Sequence, residues 1–178
     1  LLARNRKQMV DLLQAQRWDF VKGLRTLYIQ HLREYYLVGG MPEAVDKFVQ
    51  TNDANLVREV QNEILAAYEK DISKHAPAEQ VMRIGQVWHS IPSQLAKENR
   101  KFIYGVVKKG ARAKDYELAI QWLLDAGLVY KVNRVTTLAM PLKIHEEISA
   151  FKLFMLDCGL LGAMSLTPPV MLLLPSTD

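Results

Sequence analysis

The residues with the clearest chemical potential are seven lysines and arginines within residues 97–114, a stretch that holds a single carboxylate, Glu98. This stretch has a net charge of +6 (seven basic residues against one acidic), although the whole chain has a formal net charge of only +4. Such a cluster is typical of a surface that contacts nucleic-acid phosphates. A solvated lysine-rich loop, or a surface facing an acidic neighbour, would have the same composition. The candidate DNA-binding residues are Lys97, Arg100, Lys101, Lys108, Lys109, Arg112 and Lys114.

Motifs for catalysis begin in this sequence but are not completed. No glycine is followed by lysine, so the GxxxxGK[ST] phosphate loop is missing. The run HEEI at 145–148 starts like a zinc-protease helix, but Ser149 stands where a second histidine is required. Asp157 follows an apolar run as a magnesium-binding carboxylate would, yet Cys158 replaces the catalytic glutamate. We therefore expect no catalytic residue, no metal site and no cofactor in this chain.

The composition places the chain among globular proteins. Its 178 residues are 49% hydrophobic and 24% charged, enough for one ordinary domain or two small ones. No window approaches the roughly 18 apolar residues of a membrane span. A single cysteine and the lack of a secretory signal favour a reducing, cytoplasmic location without membrane contact. The chain opens in the middle of a helical pattern, so we expect it to be a piece of a longer protein.

Residues 1–75 carry a helical periodicity that predicts a helical, lid-like segment. Helices are predicted over 2–15, 18–36, 43–50 and 54–73, with Gly39-Gly40 and Pro42 separating the second from the third. The last helix has apolar residues at steps of four, which predicts its buried face. These residues are Leu56, Val60, Ile64, Tyr68 and Ile72.

The pattern changes after residue 75, and residues 76–145 predict a winged helix-turn-helix domain. Helices are predicted over 78–90, from Pro92 onward and over 114–126, followed by strands over 128–132 and 142–144 that Asn133-Arg134 would join. Residues 102–107 are ambiguous between a strand and a helical turn. Residues 146–178, with a strand candidate at 151–156 and a helix at 159–164, predict the start of a truncated C-terminal domain. The predicted fold class is mainly α with a small β-hairpin.

Several long runs support a family resemblance. They include YYLVGGMPEAV at 35–45, REVQNEIL at 58–65, SIPSQLAKEN at 90–99 and LDCGLL at 156–161. In this order they closely resemble a large bacterial and archaeal family of AAA-type ATP-binding proteins that have a C-terminal domain of unknown function. The resemblance covers residues from about 10 to 165.

The resemblance implies a P-loop ATPase core before this region and a domain similar to restriction-endonuclease folds after it. ATP and magnesium would then belong to the parent protein and not to this chain. Gly40 and Pro42 resemble the glycine–x–proline motif in the lid of related ATPases, where the proline lies against the nucleotide base. A proline ring can pack on a base without leaving an N–H unsatisfied. The same residues would also suit an ordinary turn with a proline at a helix start.

Together these patterns predict a non-catalytic regulatory and binding segment whose winged helix binds duplex DNA. Its further partners would be the ATPase core and the C-terminal domain of the parent protein. The alternative is a winged helix that serves as a protein–protein or interdomain interaction module and binds no nucleic acid.

Overall fold

The computed structural model describes residues 5–97 and 101–173. Over these residues the chain is mainly helical and has a small two-stranded antiparallel sheet, as the sequence predicts in outline. The helices are α1 Lys7–Gln14, α2 Trp18–Gly23, α3 Arg25–Val38, α4 Pro42–Thr51, α5 Ala54–His75, α6 Ala78–Ala96, α7 Tyr104–Val107, α8 Ala113–Asp125, α9 Cys158–Met164 and α10 Pro169–Leu173. The strands are β1 Val129–Val135 and β2 Glu146–Met155.

The chain divides into two compact units at positions that differ from the predicted boundaries at 75 and 145. The first unit comprises Leu1–Leu65 and Asp157–Asp178, and the second comprises Ala66–Leu156. Helices α9 and α10 contact α3, which joins the end of the described chain to the first unit. The hairpin extends to Met155 and stays within the second unit.

The core of the first unit is formed by the C-terminal end of α3, by α4 and by the N-terminal part of α5. Its buried residues are Leu37, Val38, Ala44, Phe48, Val57 and Val60. The predicted stripe on α5 is only partly right, because Val57 and Leu65 are buried while Leu56 and Ile64 are only partly buried. A strict step of four residues overshoots each helical turn by about 40°, so such a line winds away from the buried face.

In the second unit α6 packs against α8, and both contribute to one core. Trp88, Ile91 and Leu123 are fully buried there. The prediction that Pro92 begins a separate helix was wrong, because α6 continues through it to Ala96. Proline removes one backbone hydrogen bond from a helix interior. Burial of the apolar side chains of Trp88 and Ile91 on this face of α6 offsets that loss.

The hairpin pairs Val129 with Met155 and Asn133 with Phe151, and it is irregular between Asn133 and Arg134. The strand candidate at 151–156 is confirmed as part of β2. The predicted strand at 142–144 was wrong, because those residues form a 3₁₀ turn, and Asn133-Arg134 lie within β1 and not in a turn. The apolar run at 151–156 is longer than the one at 142–144 and supplies buried side chains to the core. Strand β1 therefore pairs with the longer run.

The ion pair between Arg134 and Glu147, next to the irregularity, makes the stability of the hairpin depend on pH. A hydrogen bond from Arg134, with the charges of Arg134 and Lys101, lowers the pKa of Glu147 below its ordinary value. We expect Arg134→Met to raise this pKa, as measured by a carbon NMR titration of the side-chain carboxyl. Because the pKa is depressed in the folded chain, the pair stabilises the hairpin above the ordinary glutamate pKa and stops doing so on acidification.

The matched control for this titration is Lys143→Met, which removes an exposed cation of the β1–β2 connection that is not among the causes of the lowered pKa of Glu147. It should leave the pKa of Glu147 unchanged. An unchanged pKa in the Arg134→Met variant would contradict the assignment of the shift to this hydrogen bond.

Candidate functional site

The basic segment lies in the second unit, where it runs from the end of α6 to the first turn of α8. Lys101 precedes an extended stretch, Lys108 and Lys109 follow α7, and Arg112 and Lys114 flank the first residue of α8. Arg100 lies outside the described residues. The six described side chains are all exposed: Lys97, Lys101, Lys108, Lys109, Arg112 and Lys114.

Two sets of contacts hold the backbone of this segment in place. The Phe102 N–H donates to the Phe151 carbonyl of β2 at 2.6 Å, and their rings stack with centroids 5.6 Å apart. The Gln94 side chain donates to the Ile103 carbonyl at 2.8 Å and accepts from the Ile103 N–H at 3.0 Å. Phe102 and Ile103 are therefore anchored on the core, while Lys97 and Lys101 are exposed.

Helix α8 has a mixed exposed face beside the basic segment. Lys114, Glu117, Leu118 and Gln121 lie on that face, and the Tyr116 hydroxyl on the opposite side donates to Gln86 at 2.7 Å. Cationic, carboxylate and amide groups are the types that hydrogen-bond base edges in a major groove. This exposed face of α8 therefore carries a cation, a carboxylate and an amide, of which the Gln121 amide donates to Asp125 at 2.7 Å.

The six basic side chains form no ion pairs with the carboxylates that the structure describes. The pairs in those residues are His31–Glu34, His89–Glu69 and Arg134–Glu147. Lysine and arginine charges left unpaired at a surface are available to an anionic partner. The six described residues of the predicted site lie along one stretch of chain between the end of α6 and the first turn of α8, and their role stays a prediction.

A second arrangement, in the first unit, brings together two of the family-like runs. The Asp157 carboxylate accepts hydrogen bonds from the Gly40 N–H at 2.6 Å and from the Leu160 N–H at 2.9 Å. It therefore caps the N-terminus of α9 and also binds the turn that follows α3. Gly39 has a φ of +73° there, and a Cβ at that position would collide with the Asp157 carboxylate. The turn at Gly39-Gly40 and the start of α9 at Asp157 are therefore held together within the first unit, and we call this contact the α3–α9 joint.

Gln61 completes this joint from α5. Its side chain is fully buried and donates hydrogen bonds to the carbonyls of Leu37 at 2.9 Å and Val38 at 3.0 Å. Carbonyls at the C-terminal end of a helix have no partner within the helix, and Gln61 supplies one for these two. Gly159 lies against the same Val38 carbonyl. Sequence reasoning missed Gln61 and considered Asp157 only as a possible magnesium ligand, although an aspartate directly before a helix is a recognisable N-cap signal.

The residues expected to contact a nucleotide base in the parent protein have structural roles in this chain. Pro42 is the first residue of α4, and the N–H of Gly40 is bonded to Asp157. Gly40 also lines a cavity of about 930 Å³ among α1, α3 and α4, together with Leu13, Leu32 and Phe48. The base contact itself stays a prediction.

Within the described ranges, no three His, Cys, Asp or Glu residues are grouped so that they could hold a metal ion.

Burial, followed by the charge of Asp157, raises the pKa of the Cys158 thiol, which disfavours the reactive thiolate. No helix among these residues combines the length and apolar character needed to cross a bilayer.

The fold and site define a mainly helical protein of two units, one of which presents an exposed basic segment beside a hairpin. The chain belongs to the DUF8612 family, a domain of unknown function whose model matches residues 29–170. Comparison with curated proteins and with solved structures found no match.

Proposed function

We propose that the second unit is a winged helix-turn-helix that binds duplex DNA, and that the chain acts through binding and not through catalysis. The element order α6, α7, α8, β1, β2 supports this interpretation. The backbone contact between Phe102 and β2 also supports it, because it holds the chain two residues before α7 against the hairpin. In this arrangement α8 would enter the major groove.

The observation that carries the proposal is the set of six exposed basic side chains between α6 and α8, none of them in an ion pair with a described carboxylate. Each cation that neutralises a phosphate releases condensed counterions, and this release drives binding. Contacts of this kind bind duplexes of unrelated sequence with similar affinity.

The family resemblance extends this proposal to the parent protein. The first unit would act as the lid-like segment of an AAA-type ATP-binding protein, next to a P-loop core supplied by the parent. Nucleotide state in that core would reposition the DNA-binding unit through the turn at Gly39-Gly40. ATP and magnesium would bind the core and not this chain.

The test is fluorescence anisotropy with a labelled duplex of roughly 20 base pairs at several salt concentrations. We expect Lys108→Ala with Lys109→Ala to weaken binding by a similar factor on unrelated sequences. The slope of log affinity against log salt should fall by about 0.9 for each phosphate that the variant no longer neutralises.

The matched control is Lys70→Ala with Lys74→Ala, which removes two exposed lysines of α5 in the same unit. This variant should keep the wild-type slope. Wild-type binding weaker than about 10⁻⁴ M at physiological salt would contradict the proposal. An equal decrease of slope in the control would show that binding depends on net charge and not on this segment.

A second candidate function is docking on another domain or a partner protein. The first unit favours it, because Trp18, Phe20, Tyr35 and Tyr36 are large and exposed, and Tyr35 lines the cavity among α1, α3 and α4. Contiguous exposed apolar surface marks interaction sites. Lys108 and Lys109 lie in the other unit, so replacing them with alanine should leave such docking unchanged while it weakens duplex binding, which separates the two candidates.

A further inference from the structure

The loop between β1 and β2 has an apolar, strongly exposed tip. Leu138 is 90% exposed, Met140 83% and Ile144 72%, and Pro141 lies between them. The Thr136 N–H donates to the His145 carbonyl at 2.9 Å and closes the base of the loop. Residues 137–144 therefore form a narrow projection whose apolar side chains contribute little to the core of their own unit.

The charges around this loop favour an anionic partner. Residues 136–145 contain no aspartate or glutamate, and Lys143 is exposed. The two carboxylates at the base of the loop are engaged within the hairpin. Glu146 accepts from the Asn133 side chain at 2.9 Å, and Glu147 is paired with Arg134. No unpaired carboxylate among these residues would repel a phosphate backbone.

The basic segment contacts the hairpin at Phe102, whose N–H donates to the Phe151 carbonyl of β2 at 2.6 Å. The charge of Lys101, the residue before it, also helps to lower the pKa of Glu147 on the same strand. A polymer bound along the basic segment would therefore pass near the base of the hairpin. Duplex DNA is the partner that presents phosphates to the lysines and also stacked apolar base faces to a narrow projection.

We propose that the loop tip acts as a wedge that enters the minor groove and inserts Leu138 or Met140 between base pairs, so that this protein kinks the DNA it binds. The inference rests on the proposed DNA binding and adds a mechanism to it. Leucine, methionine, isoleucine and proline are the side chains that proteins use to unstack base steps from the minor groove. The basic segment would supply the affinity, and the tip would supply the deformation.

The test measures bending separately from binding. A roughly 20-base-pair duplex with a central TA step, which is easily kinked, carries a donor and an acceptor dye at its two ends. Binding of the whole chain should increase energy transfer, as expected for a kink of about 20–90°. Leu138→Ser with Met140→Ser should abolish that increase at saturating protein and leave the salt slope of binding unchanged.

Met82→Ser is the matched control, because Met82 is an exposed apolar residue of α6 outside the loop, and it should bend DNA like the wild type. Circular dichroism would verify that all three proteins are folded. Wild-type binding without a change in energy transfer, or equal bending by the loop variant, would overturn the wedge and leave the proposed DNA binding intact. Absence of wild-type binding would overturn both proposals. Loop-dependent binding to anionic vesicles, with no bending of DNA, would assign the tip to a membrane surface and also overturn the wedge.

Discussion

Replacing Leu37 with alanine should lower the free energy of unfolding by about 2–5 kcal/mol. Leu37 is 0% exposed at the end of α3 and packs in the cluster formed with α4 and α5. Truncation removes buried methyl groups and leaves a cavity. The cavity cannot close easily here, because the adjoining turn is held by the bonds of Gln61 and Asp157. A urea titration followed by circular dichroism measures the decrease in stability.

Leu32→Ala is the control for this change, since Leu32 lies on the same helix but is 46% exposed. The same atoms are deleted, and helix propensity changes in the same way. We expect its effect to stay within about 0.5 kcal/mol of zero, as for most surface substitutions. Equal destabilisation by the two substitutions would show that Leu37 does not lie in a packed core.

The second large effect concerns Gly159, at the start of α9. A Cβ at this position would lie 2.5 Å from the Val38 carbonyl oxygen and 2.6 Å from the Gln61 side-chain nitrogen. Both groups are buried, and the carbonyl belongs to the backbone, so neither can move without disturbing the joint. Gly159→Ala should therefore destabilise the protein by about 1–3 kcal/mol, as overpacking does elsewhere.

Glycine-to-alanine substitution three residues later, at Gly162, should change the free energy of unfolding in the opposite direction. A Cβ on Gly162 would meet the Arg58 guanidinium at 3.6 Å, an ordinary contact, and Gly162 also lies within α9. Alanine is favoured over glycine inside a helix by about 0.5–1 kcal/mol, so Gly162→Ala should raise stability. Thermal melting of the two variants tests the pair. A neutral or stabilising Gly159→Ala would contradict the close contact with Val38.

The sequence predicted helix ends best where a proline begins the helix or a glycine follows it. Helix α4 begins at Pro42, one residue before the predicted start, and α8 ends at Asp125, one residue before the predicted end and two before Gly127, whose φ is +69°. The same signals failed at Pro92, where the buried face of α6 outweighs the missing backbone bond. They also failed at residues 142–144, because a short apolar run says nothing about which strand it will pair with.

By itself the sequence determined the helical character of the chain, the ends of several helices and the concentration of positive charge in residues 97–114, since each of these depends on neighbours within a few positions. Only the tertiary structure decided that Asp157 bonds Gly40, 117 residues away, and that Phe102 stacks on Phe151. It also decided that the apolar side chains of residues 137–144 are left exposed at the tip of a loop. Periodicity encodes which side of an element is apolar, but not which other element will cover that side. That choice depends on the shape and packing of surfaces that come together only when distant segments fold.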